Sequence, residues 1–422
     1  MIILLKNKRF YIFLLLLINV VTIIKVNAQP VGGIGEYYTH HHYKVGMNGF
    51  YNINSTTFTN EFYRYFINGG YLGNDVKERV EKKLSGKNYL GGDINTGIFF
   101  SVKQQDTLKP GLVFFGGIRD VEHLDFTFND DLFKLAMYGN SSFKGDTANF
   151  GSLRGQLLRY QKIEGGLFTA NKKFGVALAY IKGEQFLKVE VPNATLYTSE
   201  DATLLNLNIN GYWQTSDTSN KKLMAFNGHG ASLSLFYKYT FKEDESRYIN
   251  IEMNDLGFIR WGNKSLTRSF DTSYTFEGVI VNNLLNFNNA ELGNNTSEDS
   301  LINRFSNVKQ AASNTFIPLG FHLAYYHKLN EKFTLINGVI YRIAAQHIPF
   351  LYLQPQYKLN EHIKLIARAA YGGYGKFHFA TGINGKIKDK WHIGITVDNM
   401  EGFIAPKQAG GNGMSIRLAK EF

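Results

Sequence analysis

Six basic side chains in the last hundred residues could together recognise an anion. In a β-strand, alternate residues point to the same face, and these six recur on the polar side of alternating segments. Rings of Lys and Arg select anions in membrane pores. We predict that the six line a ligand path, and the alternative is that they only bind a plug and the lumen wall. They are Arg342, Lys364, Arg368, Lys376, His378 and Lys386. Expected partners on other strands are Asn206, Asn208, Asn210 and Glu252.

Three consecutive histidines, His40, His41 and His42, could ligate a metal ion, because imidazole is a common ligand. Neighbouring side chains in an extended chain point in opposite directions. The three rings therefore cannot easily meet one ion, and no nearby carboxylate spacing helps. We expect a solvated segment or the surface of a plug rather than a metal site.

The densest group of acids around a histidine is Asp120, Glu122, His123 and Asp125. General acid–base catalysis needs such side chains within reach of one another. On a strand, Asp120 and Glu122 share one face and His123 lies on the other. We therefore expect a charged rim rather than a catalytic centre. Asp130 and its neighbour similarly indicate the start of a helix.

Nucleophile and metalloprotease motifs are missing from the sequence, which has neither Gly-x-Ser-x-Gly nor His-Glu-x-x-His. Cysteine is absent, which excludes disulfides, thiolate metal sites and thiol nucleophiles. The basic residues are dispersed, so the net charge of +11 does not indicate nucleic-acid binding. We predict a protein that is not an enzyme and needs no cofactor. A hydrolase whose Ser, His and Asp come from separate strands is a third alternative.

Three similar turns position the basic side chains: Lys328–Lys332, Lys358–His362 and Lys386–Lys390. Each joins two stretches that alternate apolar and polar residues, which is the signature of successive hairpins. The apolar faces are too apolar for water, while the other faces carry Lys, Arg, His, Gly and Ala. This pattern is typical of an all-β, antiparallel transmembrane β-barrel. From the usual number of residues in a barrel strand and its connection, we expect about 14 strands, within a range of roughly 12 to 16.

The chain divides into three predicted parts. Residues 1–28 resemble a secretory signal peptide, with basic residues before an apolar core and cleavage after Ala28. Residues 29–92 form an N-terminal plug or lip, with a short helix over Asn74–Leu84. An alternative is that they contain a first strand pair interrupted by that helix. Residues 93–422 form the barrel. Residues 128–153 are expected to form a helical turn and a loop.

The predicted cellular address is the bacterial outer membrane. No stretch after the signal has the roughly 18 continuous apolar residues of a membrane helix, so closed strands must satisfy the backbone in lipid. Long barrel loops face outward and short turns face the periplasm. We therefore place the polar stretch Asn282–Asn314 outside the cell and the three repeated turns in the periplasm.

The combination of a signal peptide ending before Gln29, no cysteine, an N-terminal segment before the strands and a terminal Phe422 resembles a known group. The chain is similar to an uncharacterised Bacteroidota outer-membrane barrel family, distantly like FadL fatty-acid channels and PorV secretion-associated barrels. The local similarity lies in Asn60–Gly73 and Asp131–Gly145. Two features depart from that group. Lys420 stands two residues before the final Phe, where the group usually has an aromatic or apolar residue, and the Asn-Pro-Ala segment that the FadL group carries early in the mature chain is missing.

These patterns predict an outer-membrane barrel that passes or binds a small anionic or amphipathic ligand through a partly plugged, basic lumen. The alternative is a scaffold or secretion-associated barrel that acts through its outer loops. Expected partners are outer-membrane lipid, a small ligand, the barrel-assembly machinery through the strand ending at Phe422, and a secretion-system or surface partner. No nucleic acid is expected.

Overall fold

The computed structural model describes residues 33–104, 111–222, 224–242, 244–276, 306–343, 345–387 and 390–422. The predicted signal peptide lies outside these ranges. The described residues form one sheet of 19 strands. The strands are β1 (Tyr43–Ser55), β2 (Asn88–Lys103), β3 (Val113–Phe128), β4 (Asp146–Asn149), β5 (Leu153–Phe168), β6 (Phe174–Thr198), β7 (Leu205–Thr215), β8 (Gly228–Phe241), β9 (Asp244–Trp261), β10 (Leu266–Phe276), β11 (Asn307–Gln310), β12 (Ser313–Phe316), β13 (Leu319–Lys328), β14 (Phe333–Ile343), β15 (Ile348–Lys358), β16 (Ile363–Gly373), β17 (Phe377–Ile387), β18 (Trp391–Asp398) and β19 (Asn412–Glu421).

Fourteen of these strands close into an antiparallel ring, which confirms the predicted fold and strand number. The ring runs β1-β2-β3-β5-β6-β8-β9 and then β13 to β19. The first and last strands form the seam, with partners from Lys44 opposite Glu421 to Ile53 opposite Asn412. Closure leaves the ring without a free strand edge.

The short connections gather at one end of the ring, here called the turn end. Two predicted turns are confirmed there. The Asn330 side chain accepts hydrogen bonds from the amides of Lys332 and Phe333 at 2.9 and 2.8 Å. Asn360 repeats this arrangement with the next hairpin. Such side-chain-to-backbone bonds are why Asn is favoured in turns. Residues 388–389 of the third turn lie outside the described ranges.

The long connections gather at the opposite end, here called the loop end. They carry the helices α1 (Asn60–Asn68), α2 (Asn74–Glu81), α3 (Asp130–Tyr138) and α4 (Met400–Ile404). The helices predicted at 74 and 130 are therefore confirmed. In the described ranges, no helix has the length and apolar character needed to cross a membrane. The first three helices share a buried cluster of Phe62, Val76, Val80, Phe128 and Phe133.

The N-terminal region differs from a single plug or lip. Residues 33–42 lie inside the ring, whereas Tyr43–Ser55 forms a wall strand that pairs with β2. The two helices α1 and α2 interrupt this first strand pair. The ring therefore begins at Tyr43 rather than near residue 93. In β1, exposed Val45 and Met47 alternate with inward polar residues and glycines, which weakens the apolar signal.

The outer wall is apolar and the inner wall is not. In β16 and β17, Leu365, Phe377 and Phe379 are exposed on the outside, while Ile366 and Ala380 are buried inside. This agrees with the predicted alternation. An apolar band around a closed ring is the property that distinguishes membrane barrels.

A smaller sheet extends the barrel at the loop end. The 25-residue strand β6 runs past the ring and pairs with β7, which pairs in turn with β10. Asn206, Asn208 and Asn210 lie on β7, so these expected lumen partners are outside the ring. Of the polar stretch Asn282–Asn314, residues 282–305 lie outside the described ranges, and β11 begins the remainder at the loop end.

Candidate functional site

The turn-end half of the lumen is filled by the N-terminal segment 33–42, here called the plug. Ile34, Tyr37 and Tyr38 are buried within it. Their side chains join one apolar cluster with inward-facing rings of the wall. The rings are Phe99, Phe115, Phe168 and Phe236. Burial of these aromatic surfaces stabilises the plug inside the ring.

A buried polar network holds the plug through Tyr37. Its hydroxyl donates to Glu164 Oε1 at 2.5 Å and accepts from Arg119 Nε at 2.6 Å. Burial raises the pKa of Tyr37, so the hydroxyl keeps its proton. Arg119 and Lys162 contact Glu164 at 3.0 and 2.9 Å, and Lys162 also contacts Asp255 at 2.8 Å. Each charge in this network thus has a partner, as buried charges require.

The plug also contacts both strands of the seam. The Glu36 carbonyl oxygen accepts from Lys44 Nζ of β1 at 3.0 Å and from Arg417 Nη2 of β19 at 2.8 Å. Thr39 donates to Glu421 at 3.3 Å. The plug is therefore fixed to the first and last strands of the ring.

The described part of the lumen contains cavities of about 240 and 140 Å³. Asp93 and Arg342 line both, and Arg342 Nη1 lies 2.6 Å from Asp93 Oδ2. His123 contacts the other Asp93 oxygen at 2.8 Å and Asp125 at 2.7 Å. The Asp93–Arg342 ion pair therefore lies between the larger cavity, beside the plug, and the smaller one, towards the loop end.

The larger cavity contains four charged side chains that have no ion-pair partner in the described part of the chain: Lys172, Lys238, Glu36 and Glu252. The lysines lie over aromatic rings instead, with Lys172 Nζ 5.5 Å from the Phe236 centroid and Lys238 Nζ 4.1 Å from that of Tyr248. Among the described residues, the Glu252 carboxylate accepts a hydrogen bond only from the Asn254 amide, at 3.5 Å. The Glu36 carboxylate accepts one from the Asn48 amide, at 2.9 Å. These charges are available to a ligand.

Lys172 reaches this cavity from an unusual backbone conformation. It lies in the turn between β5 and β6 with a φ of 55°, a left-handed value that non-glycine residues rarely adopt. Burial lowers its pKa to about 8. A residue in this conformation that carries a partly buried charge into a cavity is typical of a functional site.

Arg342, Arg368 and His378 line the cavities as predicted, but each has a partner. Arg342 is paired with Asp93 and Arg368 with Asp398. His378 is buried, with its ring nitrogens 2.7 Å from Asn399 Oδ1 and 2.7 Å from a carbonyl oxygen. Lys364 and Lys386 lie on the inner face near the turn end. The inner wall therefore has mixed charge rather than one basic row.

Lys376 does not lie in the lumen. It is exposed in the loop-end connection before β17, which begins only at Phe377. Two glycines with positive φ, Gly372 at 111° and Gly373 at 70°, end the preceding strand. Alternation along β17 therefore does not extend back to residue 376.

The other sequence candidates are divided between different surfaces. His123 and Asp125 point inward, while Glu122 lies on the outer face, 3.2 Å from Arg159, as alternation predicts. His41 lies 3.5 Å from Glu421. The described ranges contain no group of three His, Asp or Glu side chains arranged to hold a metal ion.

Sequence reasoning missed Lys172 as a site residue because it lies in a turn, where the period-two pattern does not predict which way a side chain points. Glu252, which was expected as a partner on another strand, faces the larger cavity. Lys238 also lies on the polar side of an alternating strand, so that signal could have found it. Asp93 was taken as a domain boundary. Nothing in its local sequence indicates a partner 249 residues away.

A comparison with curated proteins finds no match. Among solved structures, the chain is similar to the ΔS2S3 variant of TodX, a monoaromatic hydrocarbon channel of Pseudomonas putida, with a TM-score of 0.42, 9% identity and 92% of each chain covered. A FadL homologue of Pseudomonas aeruginosa gives 0.39 at 10% identity, over 91% of this chain and 90% of that one. The Ralstonia pickettii toluene transporter TbuX gives 0.38 at 10% identity, over 92% and 91%.

A family model matches residues 38–389. The match begins within the plug and extends through β17, so it includes most of the ring and most residues that line the two cavities. The chain therefore belongs to the family of unknown function DUF5723.

Proposed function

We propose that this protein is an outer-membrane β-barrel that binds a small polar ligand in its lumen and passes it when the plug moves. The role is not enzymatic. The observation that carries the proposal is the larger cavity, where Lys172, Lys238, Glu36 and Glu252 have no ion-pair partner among the described residues. Uncompensated charges in a protein interior are costly, so a ligand that pairs with them gains affinity.

The outer-membrane address is supported by the asymmetry of the ring. Short turns gather at one end and long connections with helices at the other, as in barrels whose turns face the periplasm. The predicted signal peptide agrees with export. On this proposal, the plug and the larger cavity face the periplasm, and the smaller cavity faces outward.

Passage through the lumen requires two local movements. The plug blocks the turn end through Tyr37 and its network, and the Asp93–Arg342 pair separates the two cavities. Because Arg342 and Arg368 are both neutralised by carboxylates, the wall supports a small polar ligand better than a continuous path for anions.

Planar-bilayer conductance tests the proposal. We expect low conductance from the intact protein and a large increase when residues 33–42 are deleted, because β1 starts only at Tyr43. The Tyr37→Ala variant should give a smaller increase while keeping the backbone contacts of Glu36. Lys376→Glu, at an exposed position outside both cavities, is the matched control. Unchanged conductance in both folded plug variants would contradict the proposal.

A second candidate role is a scaffold that binds a surface partner at the loop end. It is favoured by the sheet of β6, β7 and β10, which extends past the ring and has no part in the lumen. Crosslinking in intact outer membranes should then capture a complex that disappears when residues 199–215 and 266–310 are replaced by short linkers. An unchanged complex profile would exclude this role.

A further inference from the structure

Opposite charges face the same cavity from different elements. Lys172 comes from the β5–β6 turn, Lys238 from β8 and Glu252 from β9. By contrast, Asp93, Asp255 and Arg342, which line the same cavity, are all ion-paired. Glu36 of the plug also lines this cavity without an ion-pair partner among the described residues. The unpaired set therefore contains two positive charges and two negative charges, and a matching ligand carries both signs.

The plug leaves space for the negative charge. A Cβ atom built on Gly33 would lie 1.6 Å from Glu252 Oε2, and one on Gly35 would lie 3.0 Å from Glu252 Oε1. Glycine at these positions lets the plug backbone pass close to the carboxylate without moving it. Glu252 is thereby held beside the cavity rather than displaced from it.

Aromatic rings provide the remaining surface. Tyr248 and Tyr326 stack with their ring centroids 4.5 Å apart and their planes at 11°. The Phe236 ring lies under Lys172 Nζ. Such rings offer apolar area to a ligand next to its charged groups. An apolar side chain on a zwitterion fits this arrangement.

We infer that the larger cavity binds a free α-amino acid with an apolar side chain, its carboxylate towards Lys172 and Lys238 and its ammonium towards Glu252. This inference rests on the proposed function. A monoanion leaves both carboxylates without a ligand partner, a monocation leaves both lysines, and an uncharged sugar leaves all four charges. Of these ligands, only a zwitterion offers a charge to the lysines and to the carboxylates.

The volume agrees with this class. A cavity of about 150 Å³ accepts benzene, so one of about 240 Å³ accommodates about ten non-hydrogen atoms on the same scale. Leucine is of this size. A longer peptide requires more space than the cavity has.

Isothermal titration of the full-length mature protein in detergent tests the inference with three probes of one shape. L-leucine has both charges, 4-methylpentanoate lacks the ammonium and 3-methylbutylamine lacks the carboxylate. We expect leucine to bind about tenfold or more tightly than either analogue, because each lost ion pair is a charged hydrogen bond. Equal binding of the three, or tighter binding of an analogue, would overturn the inference.

Variants assign each charge. Glu252→Gln should weaken leucine about tenfold but leave 4-methylpentanoate unchanged or tighter. Lys238→Met should weaken leucine and 4-methylpentanoate together and leave 3-methylbutylamine unaffected. Lys364→Met is the matched control, because Lys364 faces inward but lines neither cavity. Loss of leucine binding in this control would also contradict the assignment.

The outcomes separate the inference from the proposed function. If no probe binds but plug deletion opens a conductive pore, the amino-acid ligand is wrong and the plugged barrel stands. If leucine binds with the expected charge dependence but plug deletion leaves conductance unchanged, the site stands and transport is wrong.

Discussion

Arg342 Nη1 and Asp93 Oδ2 lie 2.6 Å apart across the lumen, although 249 residues separate them in the chain. Their side chains are only 23% and 14% exposed. His123 fixes the second Asp93 oxygen. Both residues line both cavities, as do Phe50 and Ile340, so this ion pair forms the polar part of the boundary between them.

Breaking one side of this pair should destabilise the barrel strongly. Arg342→Gln or Asp93→Asn leaves the other charge buried without its partner, which costs about 3–5 kcal/mol. The double variant should lose less than the sum of the two, because contacting residues are not additive. Urea unfolding in detergent measures all three free energies. Strict additivity would show that the pair is not coupled.

Glu164 should be more important for stability than a similar acid on the outer face. Its side chain is 1% exposed and pairs with Arg119 and Lys162, so Glu164→Gln should cost about 3–5 kcal/mol of unfolding free energy. Glu122→Gln is the control, since Glu122 is 36% exposed and should cost about 0–1 kcal/mol. Equal losses in the same unfolding assay would contradict a central role for the Tyr37 network.

Ligand affinity should fall as the pH rises through about 8. Burial, with the positive charges of Arg417 and Lys238, lowers the pKa of Lys172, while Glu252 and Glu36 raise it, and the net pKa is about 8. Below this pH the ammonium is charged and attracts the ligand carboxylate, and above it the amine is neutral. Titration of leucine at pH 7 and pH 9 should show the decrease.

Lys172→Arg keeps its charge in this range, and its leucine affinity should vary less with pH than that of the native protein. The stability of the ligand-free protein should change with pH in the opposite direction to its ligand affinity. Because Lys172 has a lower pKa folded than unfolded, the folded state binds fewer protons between about pH 8 and 10.5, so its stability rises with pH there. Identical pH profiles for the native protein and the variant would exclude Lys172 as the titrating group.

The terminal aromatic residue should matter for assembly, and the preceding lysine should not. Lys420 Nζ lies 5.1 Å from the Trp391 ring centroid and 4.5 Å from that of Phe422, which accounts for a charge on the outer face of β19. We expect Lys420→Leu to change stability by less than about 1 kcal/mol.

Deleting Phe422 should lower the folded fraction in membranes, because its amide donates to Tyr43 at 2.9 Å and completes the seam. Heat-dependent migration of the barrel in gels measures that fraction. An unchanged fraction would argue against recognition of Phe422 by the assembly machinery.

The parts that could be predicted from the sequence depend on local alternation. The facing of Arg368 and His378, the split of Glu122 from His123 and the turns at Asn330 and Asn360 all follow from neighbouring residues. Period-two patterns fix such facings because a one-residue slip would reverse the whole strand.

The missed features depend on contacts distant in sequence or on turns. The plug segment around Tyr37 has no periodicity, and the first strand is interrupted by glycines such as Gly46 and Gly49. Lys172 enters the lumen through a left-handed turn residue, and Lys376 leaves it because of Gly372. In each case the facing is set by backbone conformation that residue types alone do not specify.

The hydrogen bonds to the Glu36 carbonyl oxygen make docking of the plug depend on both the first and the last strand that the ribosome synthesises. Its carbonyl needs Lys44, from the first wall strand, and Arg417, from the last. These two donors come together only once β19 has been made and has reached β1. A chain that ends before β19 therefore lacks the Arg417 hydrogen bond to the Glu36 carbonyl oxygen. The plug can be held by both seam strands only after the last strand has joined the first.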